Sequence, residues 1–68
     1  MQLSARNQLR GRIASITLGG IMAEVSIDIG IREVLTAVIT RASAEAMGLD
    51  VGHEVTAVIK STEVIVAR

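Results

Sequence analysis

Apolar and polar residues alternate in the middle of the chain, most regularly from Ile21 to Ile29. The odd-numbered residues of this stretch are all aliphatic, whereas Glu24, Ser26 and Asp28 lie between them. Alternation with a period of two places successive side chains on opposite faces of a β-strand. The pattern therefore predicts a half-buried strand over residues 21–29.

Other segments favour β-strands because β-branched residues are frequent in them. They are residues 9–18, 33–39, 53–60 and 63–67. Gly19-Gly20 follows the first of these segments and allows the positive φ angles of a tight turn. With residues 30–32 as the next turn, the chain predicts five strands.

Residues 40–48 break this pattern, because alanines, Glu45 and Met47 replace the β-branched residues. We predict one short helix, with Thr40 as its N-cap and Gly48 as the left-handed residue that ends it. A helix of about two turns is not stable alone in water. We therefore expect it to pack on the sheet through three side chains: Ala42, Ala46 and Met47.

Five strands with one short helix between the third and the fourth follow the order of a five-stranded OB-like Greek-key barrel. Most connections are too short for the crossovers of a parallel sheet. We therefore predict an all-β fold and a single domain over residues 1–68.

The composition indicates self-association. Half of the residues are apolar, yet none is Phe, Tyr, Trp or Cys. Disulfides and thiolate metal sites therefore cannot reinforce the small core. A chain of 68 residues cannot easily bury so much aliphatic surface, and oligomerisation is the usual way to do so.

The charge balance argues against some partners. Seven basic residues balance seven acidic ones, so there is no overall field to attract nucleic acid or an anionic membrane. A charge or a glycine interrupts every apolar segment, and the start of the chain lacks the apolar core of a signal peptide. We expect a cytoplasmic protein without a nucleic-acid or membrane partner.

The parts of a catalytic site are missing from the sequence. His53 is the only histidine, and no nucleophile-elbow or metal-ligand spacing accompanies it. We interpret it as a surface residue of an edge strand. Glu24 and Asp28 share a strand face but lie about 13 Å apart along it, too far for a coupled acid–base pair. We therefore predict no catalytic residues, no metal site and no enzymatic activity.

Several polar residues could instead hold an anion: Ser4 and Arg6 near the start of the chain, Thr40 at the helix start, and Lys60 and Ser61 near the end. Their hydroxyl groups and positive charges suit a tetrahedral dianion, whose oxygens only accept hydrogen bonds. A solvated strand lead-in and a polar turn explain the same residues without a ligand. From the residues alone, both interpretations fit.

The chain resembles the molbindins, small molybdate-binding proteins made of a single Mop domain. The resemblance covers essentially all 68 residues. It is carried by residues 4–11 (Ser-Ala-Arg-Asn-Gln-Leu-Arg-Gly), 35–40 (Leu-Thr-Ala-Val-Ile-Thr), 48–52 (Gly-Leu-Asp-Val-Gly) and 57–64 (Ala-Val-Ile-Lys-Ser-Thr-Glu-Val). It implies an OB-like Mop domain assembled as a homo-hexamer, a trimer of dimers. It also implies binding of molybdate or tungstate at subunit interfaces, for storage or homeostasis and without a cofactor.

The resemblance also implies two kinds of molybdate site. The dimer-interface site would use Ser4, Ala5, Arg6, Thr40, Lys60 and Ser61. The site near the three-fold axis would use Gly19, Gly20, Ile21 and Met22. Met22 stands where many relatives have Asn, and a Met side chain donates no hydrogen bond. Backbone N–H groups would have to serve at this second site.

Two other functions fit an OB-like domain. One is nucleic-acid binding, which in such barrels relies on aromatic side chains that stack on bases; this chain has none. The other is a structural oligomerisation domain that binds no ligand.

Overall fold

The computed structural model describes residues 6–68. It contains β1 (Asn7–Leu18), β2 (Met22–Asp28), β3 (Val34–Thr40), α1 (Arg41–Ala46), β4 (Glu54–Ile59) and a 3₁₀ turn at Ser61–Glu63. The strands form one curled antiparallel sheet in the order β3-β2-β1-β4. The all-β prediction is confirmed, with one short helix between the third and fourth strands.

The long strand β1 joins the two halves of the sheet. Its first half, residues 7–12, pairs with β4, and residues 12–18 pair with β2. The register shifts between Ile13 and Ser15, and such a bulge bends the strand and increases its twist. Two residues before this bulge, position 11 must be a glycine, because a Cβ there would lie 2.5 Å from the carbonyl oxygen of Asp28.

The core lies against β2, as the alternating pattern predicts. Ala23, Val25 and Ile27 are buried together with Ile13 of β1. Half-buried aliphatic residues of β3 and β4 pack around this cluster. The prediction is wrong at one end of the strand, because Ile21 lies in the preceding turn and is 78% exposed.

The ends of α1 are those that the sequence predicts. The hydroxyl oxygen of Thr40 accepts a hydrogen bond from the backbone N–H of Ser43 at 3.0 Å. Gly48 has a φ angle of +61°. Its N–H donates to the carbonyl of Glu45, and the N–H of Leu49 donates to that of Ala44. This is the Schellman arrangement that ends many helices.

The face by which α1 packs is not the predicted one. Ala42, Ala46 and Met47 are exposed, whereas Ala44 is buried. The Schellman arrangement accounts for this, since it commonly brings the residues in the positions of Ala44 and Leu49 into apolar contact. Leu49 is half-buried against the core. The residues at the C-terminal end of α1 thus determine which face of the helix packs on the sheet.

The predicted fifth strand at residues 63–67 is wrong, and the sheet has four strands, so its barrel is only half closed. After the 3₁₀ turn the chain leaves the sheet, and Ile65 and Val66 are 91% and 89% exposed. Val64 still has extended backbone angles, φ −87° and ψ 124°. β-Branched residues favour this conformation, but a strand also needs a neighbour to pair with.

Candidate anion-binding site

Two basic residues of the predicted dimer-interface site are adjacent at one end of the sheet. Asn7, the first residue of β1, pairs with Ile59, the last residue of β4. Because the two strands are antiparallel, Arg6 and Lys60 lie next to this pair at the same end. Both are exposed. Residues from opposite ends of the sequence thus lie at the same end of the sheet.

Ser61 extends this cluster into the 3₁₀ turn. The turn is held by a 2.9 Å hydrogen bond from the N–H of Glu63 to the carbonyl of Lys60. The first N–H groups of a helical turn have no acceptor within the turn. The N–H groups of Ser61 and Thr62 are therefore not used by the hydrogen bonds that hold this turn. Ser4 and Ala5, which complete the predicted set, lie outside the described residues.

Neither of the two positive charges at this end takes part in an ion pair within residues 6–68. Within residues 6–68, the ion pairs join Arg12 to Glu54 and Arg41 to Glu45. Neither Arg6 nor Lys60 takes part in them. We name this group of residues, Arg6, Lys60 and Ser61, the cationic end of the sheet. It offers two positive charges and the hydrogen-bond donors of Arg6, Lys60 and Ser61.

Thr40 lies at the opposite end of β1, so one chain does not bring it to the cationic end. It pairs with Met22, just after the β1–β2 turn. Its hydroxyl donates to the hydroxyl oxygen of Ser43 at 2.8 Å while accepting from the Ser43 N–H. A hydroxyl has a single proton to donate. Thr40 therefore already uses its donor to hold the start of α1.

The turn predicted for the second site is braced by Arg41. The backbone N–H of Arg41 donates to the carbonyl of Ile21 at 2.7 Å, and its guanidinium donates to that of Gly19 at 3.2 Å. The N–H groups of Gly20 and Ile21 donate no hydrogen bond among the described residues. Nothing in the sequence points to Arg41 as part of this turn, because no spacing along the chain connects residue 41 with residue 19.

Other candidate sites are weaker. Within residues 6–68, no three His, Cys, Asp or Glu residues are placed to hold a metal ion. His53 is exposed just before β4, an edge strand. A depression of about 270 Å³ near Gly11 is lined by two Arg and two acidic residues, so its charges balance. No helix in the described part of the chain is long and apolar enough to cross a membrane.

Comparison with known proteins places the chain in a family. The TOBE domain profile matches residues 3–66. A "Probable molybdenum-pterin-binding protein" of Haemophilus influenzae is 46% identical, over 97% of this chain and 96% of that protein. "Molybdenum-pterin-binding protein 1" of Clostridium pasteurianum is 44% identical, over 97% of both chains.

Solved structures agree with this assignment. A molybdate-binding protein from Sporomusa ovata matches over 100% of both chains, with a TM-score of 0.95 and 35% sequence identity. MopII from Clostridium pasteurianum matches over 98% of this chain and 100% of its own, with a TM-score of 0.92 and 39% identity. This chain therefore belongs to the TOBE-domain family, and its resemblance to the molbindins, the Mop proteins, is confirmed.

Proposed function

We propose that this protein binds molybdate, and also tungstate, as the intact oxyanion. The observation that carries the proposal is the cationic end, where the exposed residues Arg6 and Lys60 flank the last backbone pair of β1 and β4 and form no ion pair among the described residues. Cationic donors form strong, short hydrogen bonds to oxyanions. The names of the relatives, which refer to molybdenum and molybdate, support this choice of anion.

The cationic end is too open to enclose an anion alone, so we place the site at an interface between copies of this chain. Many large aliphatic side chains are exposed, including Val38 at 63% and Ile65 at 91%. Their burial between subunits would supply the association energy. We propose a hexamer built as a trimer of dimers, in which Ser4 and Ala5 complete the dimer-interface site. Thr40 would join this site only from another subunit and not through its hydroxyl proton, which is donated to Ser43.

The donor set provides a reason for selectivity. Guanidinium, ammonium and backbone N–H groups cannot accept a hydrogen bond, so a site built mainly from them offers few partners to the proton of hydrogen phosphate. Molybdate and tungstate carry no such proton at neutral pH. Sulfate is also unprotonated, so its exclusion would depend on the size of the cavity that the subunits enclose.

A second anion site is proposed at the β1–β2 turn. Gly20 and Ile21 each present a backbone N–H without an acceptor among the described residues, and the guanidinium of Arg41, which also pairs with Glu45, contacts the same turn. Backbone N–H groups in such turns form anion-binding concavities. Met22 contributes no donor, so we expect weaker binding here than at the cationic end.

The proposed role is one of binding. We propose that the protein is not an enzyme and serves molybdenum storage or homeostasis in the cytoplasm. An anion that bridges subunits stabilises the assembled state by mass action. Binding and release would then follow the free molybdate concentration, as a buffer requires.

Calorimetric titration with molybdate, tungstate, sulfate and phosphate tests the proposal. We expect saturable binding of the first two at micromolar concentrations and much weaker binding of the others. Association without any anion binding would instead identify a structural oligomerisation domain. Binding of a single-stranded oligonucleotide, with no response to molybdate, would favour the nucleic-acid alternative.

A further inference from the structure

The 3₁₀ turn brings a carboxylate to the cationic end. The backbone N–H of Glu63 donates to the carbonyl of Lys60 at 2.9 Å, which closes the turn. Residues three apart in a turn of this kind have side chains that eclipse each other. Glu63 and Lys60 are both exposed. Their side chains therefore leave the turn on the same side, with opposite charges.

The two side chains are neighbours but are not paired. Among residues 6–68, the carboxylates of Glu45 and Glu54 take part in ion pairs, whereas that of Glu63 takes part in none. No cation in this part of the chain therefore offsets the charge of Glu63 by direct contact. The negative charge stays beside Lys60, where it acts on any anion that binds to the cationic end.

A negative charge at this position opposes the binding of a dianion. The interaction energy of two charges is proportional to their product, so a carboxylate repels a dianion twice as strongly as a monovalent anion at the same distance. This repulsion offsets part of the attraction that Arg6 and Lys60 exert. Water and salt screen exposed charges, so the repulsion weakens binding without preventing it.

We propose that Glu63 is an affinity-determining residue of the cationic end, and that its charge weakens the binding of divalent oxyanions. The inference rests on the proposed function, because it concerns the same site. The free anion concentration at which a site is half filled equals its dissociation constant. Repulsion by Glu63 raises that concentration, so the protein releases the anion before the free concentration falls very low, as a buffer requires.

Glu63→Gln tests this role, because it removes the charge but keeps the size of the side chain and the backbone N–H that closes the turn. We expect calorimetric titration to show molybdate and tungstate bound about threefold to tenfold more tightly than by the parent chain.

Glu54→Gln is the matched control. It removes the same charge from β4, the strand that precedes Lys60. The two residues are separated by about 20 Å at the rise of a strand, which is more than two Debye lengths at physiological salt. The molybdate affinity of this variant should equal that of the parent chain.

Two further measurements separate charge from shape. Glu63→Asp keeps the carboxylate and should bind molybdate with nearly the parent affinity, whereas an effect of side-chain packing would change the affinity of this variant too. In about 1 M salt the Debye length falls to about 3 Å, so the parent chain and Glu63→Gln should bind molybdate with nearly equal affinity. A difference that persisted at this salt concentration would show that the charge is not the cause.

The outcomes distinguish this inference from the proposed function. If the parent chain binds molybdate and Glu63→Gln binds it no more tightly than Glu54→Gln does, the role of Glu63 is wrong and the proposed function stands. If none of these chains binds molybdate or tungstate, the proposed function is wrong and the role of Glu63 is wrong with it. Affinities are compared between samples that sedimentation shows to have the same assembly.

Discussion

The two ends of β1 carry similar polar groups but use them differently. At the β1–β2 turn, Thr40 caps α1 and Arg41 binds the carbonyl of Gly19 and the carboxylate of Glu45. At the cationic end, Arg6 and Lys60 form no ion pair within residues 6–68. Polar groups that stabilise the fold are committed to internal partners. Those that the fold leaves unpaired are available to a ligand.

Lys60→Ala should have the largest effect on binding. A hydrogen bond to a charged group is worth about 1.5–3 kcal/mol, so we expect molybdate affinity to fall about tenfold to a hundredfold. Calorimetric titration measures the change. Arg10→Ala is the control, because Arg10 is an exposed cation of β1 that pairs opposite Thr56, away from the strand end. Equal loss in the two variants would indicate a general charge effect, not a site.

Thr40→Ala should act mainly on stability. Loss of a Thr N-cap costs about 1 kcal/mol, so the midpoint of urea unfolding should fall, while Lys60→Ala should leave it unchanged. Thr40→Ser keeps a hydroxyl at the same position and should restore most of the loss. A Thr40→Ala variant as stable as the parent chain would show that the cap is dispensable.

Arg41→Ala should have the smallest effect on stability. Its ion pair with Glu45 is an exposed i,i+4 contact, and such pairs contribute about 0.3–0.5 kcal/mol. We expect the number of molybdate ions bound at high concentration to fall, because the β1–β2 turn would lose its charge. Arg41→Lys, which keeps the charge, should retain that number. An unchanged number in Arg41→Ala would remove the second site from the proposal.

Much of the fold could be predicted because it depends on local patterns. The period-two pattern around Val25 identified the buried strand β2, and Thr40 and Gly48 marked the ends of α1. The buried face of α1 could not be predicted, because a helix of six residues is too short for a clear period. Ala44 faces the core because of how the helix ends.

The fate of the predicted fifth strand and the position of the site depend on contacts between distant residues, which local patterns do not reveal. Residues 64–66 have strand composition, but a strand forms only where an edge is available. The proximity of Arg6 and Lys60 follows from antiparallel pairing of the first and fourth predicted strands. The commitment of the Thr40 hydroxyl to Ser43, and the reach of Arg41 to Gly19, became visible only in three dimensions.

The most direct test of the cationic end is an NMR titration of the ¹⁵N-labelled protein with molybdate. We predict that amide shifts at the lowest molybdate concentrations are concentrated at residues 6–7 and 60–62, and that those at Gly20 and Ile21 follow only at higher concentrations. Shifts that begin at the β1–β2 turn and never reach Lys60 would contradict the assignment of the site.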